Sequence, residues 1–404
     1  MSHALDDLVS TLRAGAPGFG DGLYPAYRQL REAAPLYRCP WGDWYISDLD
    51  LGRRLIGSRA AIRSGEMTLA PPVDDDAVTA DGFLRRWLLC IDPPLHTAVR
   101  SGLAPAFMPS RIEALREVVR QLGEALFTAW LDQPEASFVD AVTRPLPVHI
   151  IAHLLGLPKE DVPTFLVWND GWRHALDCST AEAMASASAM AAEMSAYLGT
   201  HLDRQVAAGA DRPFDHPSLV AQCGREAVVA NLGLLLFAGS ETTGHLLASM
   251  TLLLGLHPEI WTQVKGRGID AGAVIGEVLR CETPVQKIAC RLAEPFEHDG
   301  QLIAAGDTVV VLVGAAHRDP GVYPAPDLFR PGRGTGGELA FGTGAHACLG
   351  RRLAQLEAAI FLDVMAAKLD TIEITGWRWK PETTFRALDR LDLRVGRVAA
   401  SPSH

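Results

Sequence analysis

With 404 residues, 48% of them hydrophobic and 21% charged, the chain can bury a large core and still enclose a cofactor. A net charge of -11 offers no basic face to a phosphate backbone, which argues against nucleic-acid binding. Seven scattered cysteines (Cys39, Cys90, Cys178, Cys223, Cys281, Cys290, Cys348), odd in number and without a CxxC pair, argue against a disulfide framework and for a reducing compartment.

The N-terminal MSHALDDLVSTLRAG is polar and acidic and lacks an apolar h-region, so it does not read as a secretion signal. Leu23–Ala34 is helical in pattern and Pro35 stops it. WYIS within Pro40–Leu49 reads as a strand, and Pro71–Asp81 has the composition of a loop. Periodicity of 3.6 and Ala/Leu content predict helices over Ser110–Leu131, Glu160–Leu176, Thr180–Ala207 and Arg225–Leu256, with Ala208–Pro217 as a connector. The longest apolar stretch, near Val228–Ala238, is interrupted by Asn231 and is too short and too polar to span a bilayer. After Pro284 the texture changes to short strand-like runs such as Thr308–Val313, then to Pro/Gly-rich coil across Pro320–Gly337. A final helix, Leu349–Leu369, precedes strand-like Thr371–Ile374 and Leu391–Val395. No repeat, low-complexity tract or linker divides the chain, so residues 1–404 are expected to form one mainly α unit with small β-sheets, cytoplasmic and monomeric.

The segment Leu339–Glu357 (LAFGTGAHACLGRRLAQLE) concentrates the chemistry. Gly342 and Gly344 precede Cys348, and Gly350 follows it just as a helix begins. Glycine permits positive φ and lets backbone approach a flat ligand closely. A cysteine at a helix N-terminus faces amide N–H groups and the positive end of the helix dipole, which favours its thiolate. The residues alone leave three readings open: a metal-ligating thiolate, an inert buried cysteine beside a glycine turn, and a zinc site with His346. The zinc reading is the weakest, because no second pair of ligands lies nearby in sequence.

Phe341-x-x-Gly344-x-His346-x-Cys348-x-Gly350 resembles the haem-binding signature of the cytochrome P450 family. The resemblance implies the fold of that family, a triangular helix-rich prism enclosing haem b. It makes Cys348 the iron ligand, a thiolate that pushes electron density toward the metal. It also packs Phe341 near the sulfur, brings Gly342 and Gly350 against the haem, and directs His346 to a haem propionate.

Four further segments resemble the family in the same order, covering about Asp92 to Glu357. In Ala238-Gly239-Ser240-Glu241-Thr242-Thr243, glycine, acid and hydroxyls interrupt an apolar helix. Taken alone it is either a solvated polar face or a place where hydroxyls divert backbone bonds and open the helix. The resemblance makes it the helix crossing the haem, with Ala238 against the cofactor and Gly239 making room for dioxygen. Glu241 and Thr242 then form the acid–alcohol pair that delivers protons. Glu277-x-x-Arg280 places two opposite charges on one helix face; the resemblance buries them in a structural triad with Arg333. Asp92-Pro93-Pro94-Leu95-His96-Thr97-Ala98-Val99-Arg100 offers Asp92 as an N-cap and puts His96 and Arg100 on one face. That pair suits a carboxylate or a solvated surface equally; the resemblance assigns it to the haem propionates. Pro284–Arg291 (PVQKIACR) resembles the segment whose arginine binds a propionate beside a substrate-facing strand, but Arg291 lies one position farther from Pro284 than the pattern expects. Either a bulge absorbs the extra residue or the register differs.

The implied activity is a monooxygenase inserting one atom of O2 into a small organic substrate in secondary metabolism. No reductase segment or iron–sulfur cysteine cluster is evident, so electrons should come from NAD(P)H through a ferredoxin or flavodoxin and its reductase. Arg351 and Arg352 could dock an acidic partner or simply keep the surface soluble. The rival is a peroxide-driven or catalytically silent haem-thiolate protein that recruits other enzymes' substrates; the retained acid–alcohol pair argues against it. The substrate pocket should be bounded by Met67–Phe83, Trp168–Leu176, Leu235–Ala238 and Pro284–Ala289. A small molecule, a terpenoid, a polyketide and a carrier-tethered amino acid all remain open.

Overall fold

The computed structural model describes residues 2–14, 19–63, 78–177, 181–209, 214, 217–333 and 339–398. Helices dominate. Those that position the site are α1 (Leu95–Leu103), α2 (Pro145–Leu155), α3 (Val162–Asp177), α4 (Ala181–Ala207), α5 (Arg225–Leu256), α6 (Ala271–Cys281) and α7 (Arg351–Lys368). A five-stranded sheet has the order β1 (Leu36–Arg38), β2 (Trp44–Ile46), β7 (Thr308–Leu312), β4 (Lys287–Leu292), β3 (Ala61–Ile62). Two hairpins complete the strands: β5 (Phe296–His298) with β6 (Gln301–Ile303), and β8 (Leu369–Trp379) with β9 (Leu388–Arg397).

Helix α5 spans the predicted residues, and the reason is compositional. Its buried residues, Val228 through Leu254, fall on every face of the helix, as expected of an element enclosed by the core rather than lying at its edge. It packs on α2, α3 and α4, and the largest hydrophobic cluster gathers around it. Among the described residues no single helix is long and apolar enough to cross a membrane. The helix stays continuous through Ser240–Thr243, so of the two readings of this stretch the opened helix is not what forms. Thr242 Oγ1 donates to Ala238 O at 3.0 Å and Thr243 Oγ1 to Gly239 O at 3.3 Å, so the hydroxyls bond back to carbonyls already inside the helix.

Several boundaries differ from the sequence reading. Ser110–Leu131 divides at Leu115 into helices Pro109–Ala114 and Arg116–Asp132. Most of Pro71–Asp81 lies outside the described residues, but its end is helical: Thr79 caps Ala80–Leu84, its hydroxyl accepting the Gly82 N–H at 3.0 Å. Helix α1 begins after Pro94 rather than under an Asp92 cap, and the Asp92 carboxylate accepts the Arg63 N–H instead, at 3.0 and 3.1 Å. Helix α7 starts at Arg351, and Val313 opens a single helical turn beyond β7.

The triad Glu277–Arg280–Arg333 is formed and buried. Glu277 accepts from Arg280 Nε and Nη2, both at 2.8 Å, from Arg333 Nε at 2.9 Å and from the Arg330 N–H at 2.8 Å. Arg280 also reaches the carbonyls of His317, Pro326 and Leu328. These contacts fasten α6 to the coil Pro320–Arg333, whose far end leads to the cysteine segment.

Candidate active site

The cysteine segment is a tight loop entering α7. Gly342 and Gly344 adopt φ of +62° and +69°, the left-handed region that favours glycine. A Cβ on Gly344 would also stand 3.0 Å from the Gly57 Cα, so both conformation and crowding require glycine there. Gly350 has an ordinary φ of -84° and serves as the residue before α7. The Cys348 N–H donates to Phe341 O at 2.8 Å, and the guanidinium of Arg351 lies 5.3 Å from the Phe341 ring centre. His317 fixes the start of the segment: its Nε2 accepts the Leu339 N–H at 3.0 Å. Burial, then the charge of Arg280, pushes the His317 pKa down to about 3, which keeps that nitrogen an acceptor.

Cys348 differs from its sister cysteines. Cys39, Cys90, Cys281 and Cys290 are buried, whereas Cys348 is exposed. Its sulfur nonetheless lies deep enough for burial to raise the thiol pKa. The backbone N–H of Gly350, the charge of Arg100 and the N–H of Arg351 oppose that rise without overcoming it. The helix terminus therefore favours the thiolate but does not create it unaided. The zinc reading fails on ligands: among the described residues no group of three or more His, Cys, Asp or Glu could hold a metal.

Distant motifs converge beside this loop. The rings of His96 and His346 lie 4.3 Å apart, and Arg100 Nη2 donates to Ala347 O at 2.7 Å. Arg63, which the sequence reading did not single out, joins them by binding Asp92 through its N–H and the Ala289 carbonyl through its guanidinium. His346 Nε2 stands 3.7 Å from Asp92. His96 Nε2 is buried and has no hydrogen-bond partner. Burial, then Arg63 and His96, pushes the His346 pKa down to about 4. Burial and Arg100 also lower that of His96, with Asp92 opposing. Two arginines, two imidazoles and one carboxylate make a donor set short of anions, and a ligand carrying two carboxylates fits it.

Arg291 stands on β4, opposite Ile62 of β3 and Thr308 of β7. The pairing runs unbroken from Lys287↔Leu312 to Arg291↔Thr308, so no bulge lies within β4. Period-two alternation then gives Lys287, Ala289 and Arg291 one face of the strand.

On α5, Thr242 and Ala238 share a face, while Glu241 points to one side of it. Glu241 Oε1 is 3.1 Å from Arg173 Nε of α3 and 3.3 Å from His245 Nε2. Burial alone would raise its pKa; His245, then Arg173 and Arg144, outweigh that and hold it at about 2. A Cβ on Gly239 would sit 3.0 Å from Ile151 Cδ1, so the glycine lets α5 pack closely on α2. Arg173 and His245 went unnoticed in the sequence, although the four-residue spacing of Glu241 and His245 signals a shared helical face.

Of the expected pocket borders, residues 67–77 lie outside the described residues. Phe83 and Trp172 do come together, stacked with ring centres 5.7 Å apart, and Trp87 links both to Phe237 of α5, 5.0 Å from Trp172 and 5.8 Å from Phe237. Phe385, beyond β8, extends the cluster at 6.1 Å from Phe237.

Comparison with known proteins agrees with this geometry. The family profile described as "Cytochrome P450" matches residues 271–369. "Cytochrome P450 monooxygenase PikC" of Streptomyces venezuelae is 32% identical, covering 96% of this chain and 95% of the relative. "Beta-dihydromenaquinone-9 omega-hydroxylase" of Mycobacterium tuberculosis (strain H37Rv) is 31% identical, covering 96% and 78%. Among solved structures, P450BioI in complex with an acyl carrier protein ligated to hexadec-9Z-enoic acid superposes with a TM-score of 0.87 at 25% identity, over 94% of this chain and 99% of that one. With a thiol at the mouth of α7, two arginines and two imidazoles gathered beside it and relatives of one kind matched over 96% of its length, the chain belongs to the cytochrome P450 family, as a bacterial-type monooxygenase.

Proposed function

We propose that this chain is a haem-thiolate monooxygenase that inserts one oxygen atom from O2 into a C–H or related bond of a small organic substrate in secondary metabolism. The observation that carries the reading is the gathering of His96, Arg100 and His346, from two remote motifs, next to Cys348. Cys348 would ligate the iron, and His96, Arg100 and His346 would hold the propionates, with Arg291 adding to them from β4. Phe341, Gly342, Gly350 and Ala238 would line the cofactor. When bound, haem supplies O2 activation. The residues of this chain then orient substrate and manage protons, with Glu241 and Thr242 as the acid and the alcohol that present them.

The substrate side is aromatic and carries polar handles. Trp87 and Trp172 are buried, and the N–H of each lacks a partner. An oxygenated apolar scaffold would satisfy donors that a plain hydrocarbon leaves unmet. A polyketide fits this description and accords with the relative named "Polyketide biosynthesis cytochrome P450 PksS". The P450BioI complex keeps a carrier-tethered substrate in view. Electrons would arrive from NAD(P)H through a ferredoxin or flavodoxin and its reductase, to a monomeric, single-unit enzyme in the cytoplasm.

Two measurements test the assignment. The ferrous–CO form should absorb at the position typical of thiolate ligation, and Cys348→Ala should abolish that band; an unchanged band removes the ligand assignment. Titrating the ferric protein with free polyketides and with acyl-carrier-bound chains should shift its spin state for one class. A shift with plain hydrocarbons alone would refute the polar-handle argument.

A further inference from the structure

On the flank of α5, a short way round from Thr242, lies a polar cavity of about 290 Å3, room for several waters. Its inner end is Glu241 and His245, whose side chains are only 4% and 10% accessible. Its outer end includes Asp140 and Asp389, at 64% and 36%. The cavity thus runs from the buried acid of α5 toward solvent. Arg144 and Arg173 form one wall, both bonded to Asp170, and Arg173 is bonded also to Glu382 between β8 and β9. Lys380 faces the cavity from the same hairpin. Two arginines and a lysine therefore line the cavity with three acids besides Glu241, Glu382 bonds Arg173 behind them, and His245 is the one imidazole in the lining.

We propose that this cavity is the inlet through which solvent protons reach Glu241, and that His245 is the positioning residue that loads them onto it. The inference rests on Glu241 serving as the acid of the Thr242 pair. A carboxylate held at about pKa 2 retains no proton at neutral pH, so its supply must sit on a neighbour. The contacts of Arg173 Nε and His245 Nε2 with Glu241 are close but poorly angled for hydrogen bonding, which makes them charge contacts that a small carboxylate rotation would realign. Arg173 cannot release a proton; His245 can. In the transfer the N–H bond at Nε2 breaks and an O–H bond forms at Oε1, with no electron moved. Cavity water then reprotonates the imidazole. Arg173 meanwhile returns Glu241 to its charged state once the proton has passed toward Thr242.

The test uses the haem-loaded protein with NADPH, a surrogate ferredoxin and its reductase. It reads hydrogen peroxide release without substrate, a reaction that consumes two protons per O2. His245→Gln should slow release about tenfold at pH 7 and flatten its pH profile, a modest share of the effect general acids commonly have. Glu241→Gln should slow it as well. Independently of turnover, the loss of urea midpoint caused by His245→Gln should be at least twofold larger at pH 5.5 than at pH 8.5. That difference should vanish in a Glu241→Gln background. His245→Asn is the second variant should the first fail to fold. If Glu241→Gln slows release while both His245 variants keep the wild-type profile, the inlet role of His245 is overturned and the acid role stands. If Glu241→Gln itself changes nothing, the acid assignment fails and the inlet goes with it.

Discussion

Glu277→Gln isolates what the buried triad contributes. The substitution preserves shape and removes one charge. Glu277 Oε1 accepts three nitrogen donors, from Arg280, Arg330 and Arg333, and Oε2 accepts one from Arg280. A glutamine amide has one acceptor oxygen, so its NH2 group must face at least one donor. The less costly orientation keeps the oxygen at the Oε1 position and turns NH2 toward Arg280 Nε. That sacrifices one charge-assisted hydrogen bond, worth about 1.5–3 kcal/mol. Two guanidiniums, with side chains 0% and 7% accessible, also lose their counter-charge. Breaking a buried pair from one side costs about 3–5 kcal/mol in all, against a total stability of about 5–15 kcal/mol. Equilibrium urea unfolding followed by far-UV circular dichroism measures the loss. Because the coil that Arg333 secures leads to the cysteine segment, the thiolate-type ferrous–CO band should fade at lower urea than the helical signal. A loss below 1 kcal/mol, or coincident transitions, would refute the view that the triad holds this coil in place.

Three further expectations concern the site. Thr242→Ala should retain haem yet divert reducing equivalents to hydrogen peroxide; fully coupled turnover, measured as product per NADPH, counts against the alcohol's role. Arg100→Leu should release haem about tenfold faster to apomyoglobin, from loss of a charged hydrogen bond of about 1.5 kcal/mol; an unchanged rate excludes propionate binding. Glu241 falls from its ordinary 4.5 to about 2 on folding, so its charge stabilises the fold above pH 4.5 and that contribution disappears as pH falls toward 2. Glu241→Gln should then cost up to about 3 kcal/mol at pH 7, with the gap narrowing between pH 4.5 and 2; a gap constant with pH contradicts the ion pairing.

What could be read from sequence follows from locality. Helix α5 was legible to its ends because its apolar content is extreme and uninterrupted by proline. The loop around Cys348 was legible because glycine at positive φ is a local demand. The break at Leu115 was not, since no Gly or Pro marks it. Asp92 misled because capping is a local preference that its long-range bond to Arg63 overrides. Arg63 and Arg173 stayed hidden for the same reason: each matters through a partner dozens to hundreds of residues away, which spacing cannot reveal.

The mixed sheet carries a consequence for biosynthesis. β2 lies parallel to β7, Trp44 against Val309, and β3 pairs with β4, Ile62 against Arg291. A ribosome releasing the chain from its N-terminus exposes one edge of β2, and all of β3, long before β7 and β4 exist. Synthesis at about 5–20 residues per second leaves those edges unmatched for roughly ten seconds to a minute. Open strand edges invite pairing with other chains. Nascent chains of this enzyme should therefore depend on chaperone shelter until the last third of the polypeptide has emerged.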